Sequence, residues 1–201
     1  MREVKRVEPL PGYEPDVGRW LWAMQDVRRR TLEAVEGIDQ RVLDGNVGGA
    51  RGTGATAGAD GGGDGGGDGG GDGGRENAIG TLLYHIALIE TDWLYADLLC
   101  RPYPDHVIAE FPKDHRLPDG RLTPMTGIPL EQHLARLERT RAVFLRELEG
   151  MTLEEWRRLR APDGADYEAT PEWIVYHLVE HEAGHAYQIS QLRRRAEQDV
   201  G

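Results

Sequence analysis

Apolar positions recur in steps of three and four along four long stretches of the chain, a spacing that gathers them on one face of an α-helix. The first stretch starts at Pro15-Asp16 and carries Val17, Trp20, Leu21, Met24, Val27, Thr31, Val35, Ile38 and Val42, which predicts one helix running to Asp44-Gly45. A second runs over 77–100, with Asn77 as N-cap and an inward face of Leu82, His85, Ile86, Ile89, Trp93 and Ala96. The third, 129–149, aligns Leu130, Leu134, Leu137, Arg141, Phe144 and Leu148, so that a charged residue stands in an apolar row. The fourth, 170–198, opens with Thr170 as cap and Pro171 at the first helical position. Its expected inward line is Trp173, His177, His181, His185, Gln188, Ile189 and Leu192. Between the third and fourth, Thr152-Leu153-Glu154-Glu155 matches a capping box and predicts a short extra helix reaching Arg160. No segment alternates as a strand would. The fold class expected is all-α, a four-helix bundle forming one domain over residues 12–198.

Two interruptions modify this pattern. Residues 45–74 hold 17 of the chain's 27 glycines and repeat Gly-Gly-Gly-Asp. That segment has nothing to bury, so it is expected to be a flexible, solvated insert between the first two helices. Residues 101–127 carry Pro102, Pro104, Pro112, Pro118 and Pro124, with a turn expected at Pro118-Asp119-Gly120. This connection is long enough to form a lid or short hairpin over one end of the bundle.

The formal charge of −11 argues against a nucleic-acid partner, whose phosphates need a basic surface. Asp60, Asp64, Asp68 and Asp72 belong to the glycine tract, leaving the remainder only mildly acidic. A single cysteine, Cys100, excludes an intramolecular disulfide and suits a reducing compartment. Residues 1–11 lack the apolar core of a secretory signal, and no stretch is apolar enough to span a membrane. A cytoplasmic protein is the expectation.

The chemistry concentrates in His181-Glu182-Ala183-Gly184-His185. Residues four apart lie on one helical face, with Cβ atoms about 5–6 Å apart, so both imidazoles reach a common ion. His85 is the one histidine expected on a partner's inward face, and it completes a three-histidine site for zinc, nickel or another divalent metal with one position open. His177, one turn earlier, is a rival ligand; a supporting role beside the site and ordinary packing both stay open for it. His106, His115 and His133 are expected at the surface. The His-Glu-x-x-His pattern is also that of zinc metalloproteases. Its extended form wants glycine and histidine where this chain has Gln188 and Gln191, and no strand is available to align a peptide.

Residues 77–87, Asn-Ala-Ile-Gly-Thr-Leu-Leu-Tyr-His-Ile-Ala, and 173–189, from Trp173 through His177, His181 and His185 to Ile189, resemble the second- and fourth-helix signatures of the DinB-like superfamily. The resemblance covers residues 15–195 apart from the glycine insert. It implies a DinB-like four-helix bundle, His85, His181 and His185 as ligands of a divalent metal, and a homodimer. It also implies a small-molecule substrate, since members include transferases that use low-molecular-weight thiols. Two enzymatic readings follow, a thiol-dependent transferase and a metal-dependent hydrolase, beside a non-enzymatic stress-response or binding module with a structural metal. Arg141 is a candidate for holding a substrate carboxylate. Glu90 and Glu182 are candidates for orienting the histidines, with surface ion pairing the expected role of Glu182. Gly184 is expected to admit a substrate or neighbouring helix. Tyr187, where the family often has glycine, is expected to narrow the pocket.

Overall fold

The computed structural model describes residues 2, 4–45 and 77–198. Residues 46–74 of the expected flexible insert lie outside the described residues. Among the described residues there are only helices, turns and two isolated bridges. The four long helices of the expected bundle are present as α1 (Pro15–Val35), α3 (Ile79–Asp92), α5 (Leu130–Glu147) and α7 (Pro171–Gln198).

Helix α1 starts where Glu14 accepts from the backbone N–H groups of Asp16 and Val17. It ends ten residues sooner than the apolar steps suggest. Glu36 leaves helical conformation, and Gly37 takes φ +69°, a left-handed geometry that glycine adopts at no steric cost. The chain then restarts as α2 (Gln40–Leu43), capped by Asp39 through Val42 N–H at 2.9 Å. The break buries Leu43 in place of Val42.

Helix α3 is buried at every position from Ile79 to Ala87, because it packs on both α5 and α7. Its cap is Ala78, without a side-chain bond, and not Asn77. From Trp93 to Leu98 the helix widens into a π-helix, seen in the i→i+5 bond from Leu99 N–H to Leu94 O at 2.9 Å. The wider turn shifts the inward phase of the residues after Trp93. Leu94, Tyr95 and Leu98 are buried, while Ala96, expected inside, is exposed and Trp93 only half-buried.

The proline-rich connection contains α4 (Asp105–Glu110) and then reverses at Pro118–Gly120 as expected. Leu117 N–H bonds Arg121 O at 2.8 Å, and Thr123 N–H bonds His115 O at 3.1 Å. Helix α3 pins both ends of this hairpin. Tyr84 Oη donates to Lys113 O at 2.8 Å, and Met125 N–H donates to Thr81 Oγ1 at 3.0 Å. His115 is thereby carried over the helix that bears His85.

Helix α6 (Leu153–Trp156) has the capping box predicted, Thr152 with Glu155, and it drives Trp156 fully into the core. Helix α7 is capped by Thr170 Oγ1, which accepts from Trp173 N–H at 3.1 Å. Its buried stripe reads Ile174, Val175, Leu178, Glu182, His185, Ala186 and Ile189. This stripe is rotated from the expected line, leaving Trp173 exposed and His177 and His181 at its edge.

Apolar side chains form two clusters, one around Phe144, Trp156, Leu21 and Ile174, the other around Leu82, Ile86, Leu137 and Ile189. Four charges stand between them, one from each long helix: Arg28, Glu90, Arg141 and Glu182. Each is flanked along its own helix by one cluster on one side and the other cluster on the other, as Arg141 is by Leu137 and Phe144.

Candidate metal centre

The polar layer sets the rotation of the helices that carry the histidines. Arg28 donates from Nε to Glu182 Oε1 and from Nη2 to Glu90 Oε2, each at 2.6 Å. Arg141 donates to Glu90 from Nε and Nη2 at 2.8 and 2.9 Å, and from Nη2 to Glu182 Oε2 at 2.9 Å. The two arginines are related by a local pseudo-symmetry. Arg28 Nη1 bonds Leu137 O, four residues before Arg141, and Arg141 Nη1 bonds Met24 O, four residues before Arg28, both at 2.6 Å. Burial raises the cost of the Glu90 carboxylate, but Arg141 and Arg28 more than reverse it and hold its pKa below the ordinary value. Four charges summing to zero, each hydrogen-bonded, satisfy the condition under which a buried ionic group is tolerated.

Glu182 lies on α7 between His181 and His185, and Glu90 follows His85 on α3 by little more than one turn. Fixing the two carboxylates therefore fixes the phase of both histidine-bearing segments. The three imidazoles meet as expected. His181 Nε2 stands 3.2 Å from His85 Nε2 and 3.1 Å from His185 Nε2. His85 and His185 are buried, while His181 is partly open to solvent.

Three nitrogens of one kind converging this closely need a cation or shared protons between their lone pairs. Nitrogens bound to zinc at about 2.0–2.1 Å in tetrahedral geometry stand roughly 3.3 Å apart, so the observed spacing fits a small divalent ion. The protonation state also fits. Burial, then His185 and His115, pushes His85 down to about 3. Burial, then His185 and His85, pushes His181 well below its ordinary value, and burial lowers His185. All three rings are neutral at pH 7, the form that ligates metal. Gln188 Oε1 lies 2.8 Å from His185 Nδ1. An amide oxygen only accepts, so Nδ1 carries the proton and Nε2 presents its lone pair to the cluster. His85, His181 and His185 are the residues able to hold a metal among the described residues.

Other expectations are redistributed. Arg141 is buried with its guanidinium filled by Glu90, Glu182, Met24 O and Gln25, so internal carboxylates occupy the fork expected to serve a ligand. Glu182, expected at the surface, is 2 % exposed, and Glu90 is equally buried. His177 lies one turn from the cluster, its ring 6.3 Å from that of His181, and packs against both Trp93 and Trp173. His106 and His115 are exposed as expected. His133 is not: it is 1 % exposed, and α5 turns it toward Gly80 of α3. Tyr187 is 67 % exposed and narrows nothing within the chain. Gly184 meets no atom within 4 Å of an added Cβ, so no neighbouring helix approaches closely there.

The sequence reasoning missed Arg28. Its signal was present, because position 28 lies four residues after Met24 and three before Thr31, squarely within the buried phase of α1. Two arginines on two apolar stripes call for two buried acids.

No helix among the described residues is long and apolar enough to cross a membrane. No curated protein matches the chain. A family model does, over residues 23–189, a span that begins within α1 and ends on α7 just past His185 and Gln188. The resemblance carried by the two histidine-bearing helices is thus one of descent, and the chain belongs to the DinB superfamily.

Proposed function

We propose that this chain is a metal-dependent enzyme acting on a small molecule, with His85, His181 and His185 as the ligands of one divalent cation and a low-molecular-weight thiol as co-substrate. The observation that carries the reading is the approach of three neutral imidazole Nε2 atoms to 3.1 and 3.2 Å of one another along the chain of contacts. Three protein ligands are the complement of a catalytic rather than a closed structural site. A divalent cation in such a site lowers the pKa of a thiol or water that joins it. Transfer would form a bond between the thiol sulfur and an electrophilic carbon of the substrate, the thiol proton passing to solvent or to the group displaced.

The chain's own residues supply orientation. Gln188 keeps His185 in the tautomer whose Nε2 lone pair faces the cluster. The four-charge layer holds α3 and α7 in phase. His181, at the rim, is where the site opens to substrate. A homodimer and a cytoplasmic location belong to the same proposal, the first tested by sedimentation.

Purification without chelators followed by metal analysis tests the ligand set. Stoichiometric metal in the wild type, lost in His85→Ala and His181→Ala, is the expected result; wild-type protein without bound metal, even after titration with zinc or nickel, overturns it. Incubating the metal-loaded protein with an electrophile, with and without thiol, then separates the chemistries. Turnover that needs thiol supports transfer, and thiol-independent hydrolysis replaces it with a hydrolase.

A further inference from the structure

Beside the histidine cluster, four rings form a continuous aromatic surface on the outside of the bundle. Trp173 and His177, one turn apart on α7, lie parallel within 3° at 5.3 Å between centroids. Trp93 stands against both, inclined 51° to His177 at 4.7 Å and 52° to Trp173 at 5.6 Å. Tyr167 extends the surface, its ring 6.2 Å from that of Trp93. His177 joins the surface to the cluster through His181 at 6.3 Å.

This surface is open. Trp173 is 45 % exposed and Tyr167 44 %, whereas the chain buries Trp156 completely. Contiguous exposed aromatic area of this kind marks binding surfaces. The π-helix begins at Trp93, which stays half-buried with its backbone N–H still bonded to Ile89 O, while Leu94 and Leu98 go inward. Such bulges occur frequently at functional sites.

We infer that the surface of Trp93, Tyr167, Trp173 and His177 seats a planar ring of the substrate without negative charge, whose reacting end meets the three histidines. The inference rests on the metal-site reading for its second half only. Shape argues for a ring, since two parallel faces braced at one angle by a third offer offset stacking and edge contact together. Charge argues against an anion, because the exposed carboxylates Glu180 and Asp166 act on His177 and Tyr167. Two further carboxylates are engaged with tyrosines, Asp97 accepting from Tyr167 Oη at 2.6 Å and Asp92 from Tyr103 Oη. Asp92 and Asp97 therefore position phenols.

The test uses the full chain, metal-loaded and metal-free, with 2-naphthamide as planar probe and cyclohexanecarboxamide as an apolar, non-planar control, both followed by ligand-observed NMR. Naphthamide is expected to bind and the control to bind more weakly. Trp173→Leu is expected to weaken naphthamide roughly two- to tenfold, the range of an aromatic pair, with Trp173→Phe restoring most of it; Trp173 is exposed, so neither change threatens folding. Loading with cobalt(II) is expected to broaden the signals of bound naphthamide through proximity to the ion. Equal binding of probe and control, indifference to Trp173→Leu, or absence of cobalt broadening in protein shown to hold cobalt each overturns the inference. A dimer that dissociates on Trp173→Leu also overturns it, by showing that a second copy covers the face. Naphthamide binding that depends on Trp173 in protein that takes up no metal supports the aromatic seat while the metal reading falls, so the two failures are distinguishable.

Discussion

Replacing Arg141 with methionine tests whether the bundle is organised around a satisfied ionic layer. The side chain lies 5 % exposed, and its partners Glu90 and Glu182 3 % each. Methionine approximates the aliphatic stem but removes every donor, including those to Met24 O and Gln25 Oε1. Arg28 alone then faces two buried carboxylates, one of them uncompensated. Removing one partner of a buried pair costs about 3–5 kcal/mol, against a total stability on the order of 5–15 kcal/mol. Urea unfolding followed by circular dichroism at pH 7, with metal removed from both proteins so that ligation adds nothing, is expected to show that loss. The companion is the quadruple variant Arg28→Met, Glu90→Leu, Arg141→Met, Glu182→Leu. Apolar replacement of a whole buried network is often neutral or stabilising, so it should be more stable than Arg141→Met alone. A loss below about 1 kcal/mol in the single variant, or a quadruple variant worse than the single one, would refute the account of this layer.

Three further outcomes follow from the same geometry. His133 is buried with neither ring nitrogen bonded, and burial, then Arg136, pushes it down to about 4, so the unfolded chain binds the extra proton as pH falls. Its contribution is therefore lost between pH 6.5 and 4, by roughly 2–3 kcal/mol. His133→Leu should shrink the fall in urea midpoint from pH 7 to 4.5 by that much, and an unchanged fall would count against it. Gln188→Leu frees the His185 tautomer and should weaken zinc binding about 10- to 100-fold, as loss of such orienting groups does, measured by competition with a chromophoric chelator; unaltered affinity would remove Gln188 from the site. Gly184→Ala, with open space around the added methyl, should raise stability by up to about 1 kcal/mol through helix propensity and leave metal binding intact. A loss of stability there would mean that another surface covers that face.

Residue patterns alone identified the four long helices, the capping box at Thr152, the turn at Pro118–Gly120 and the shared face of His181 and His185. These are local matters, governed by periodicity, capping and turn chemistry within a few residues. The break at Gly37 was also written locally, in a glycine followed by a capping aspartate, yet the apolar steps ran past it. What no local rule decided was rotation. A stripe of histidines on α7 and a stripe of Ile174, Leu178, Glu182 and Ile189 lie side by side, and only packing against α1 and α3 chose which faces the core. The π-turn at Trp93 is similar, because it depends on which side of the helix end finds apolar neighbours.

The charges show the division most clearly. Arg141 was legible as an anomaly in an apolar row, but its partner could not be read from spacing. Glu90 and Glu182 are 92 residues apart in the chain and Arg28 and Arg141 come from two further helices. Spacing along one helix determines which residues share a face. Which faces meet is a property of four helices packed together, and the pairing of buried charges is settled only where the dielectric cost of leaving one alone exceeds that of every other arrangement.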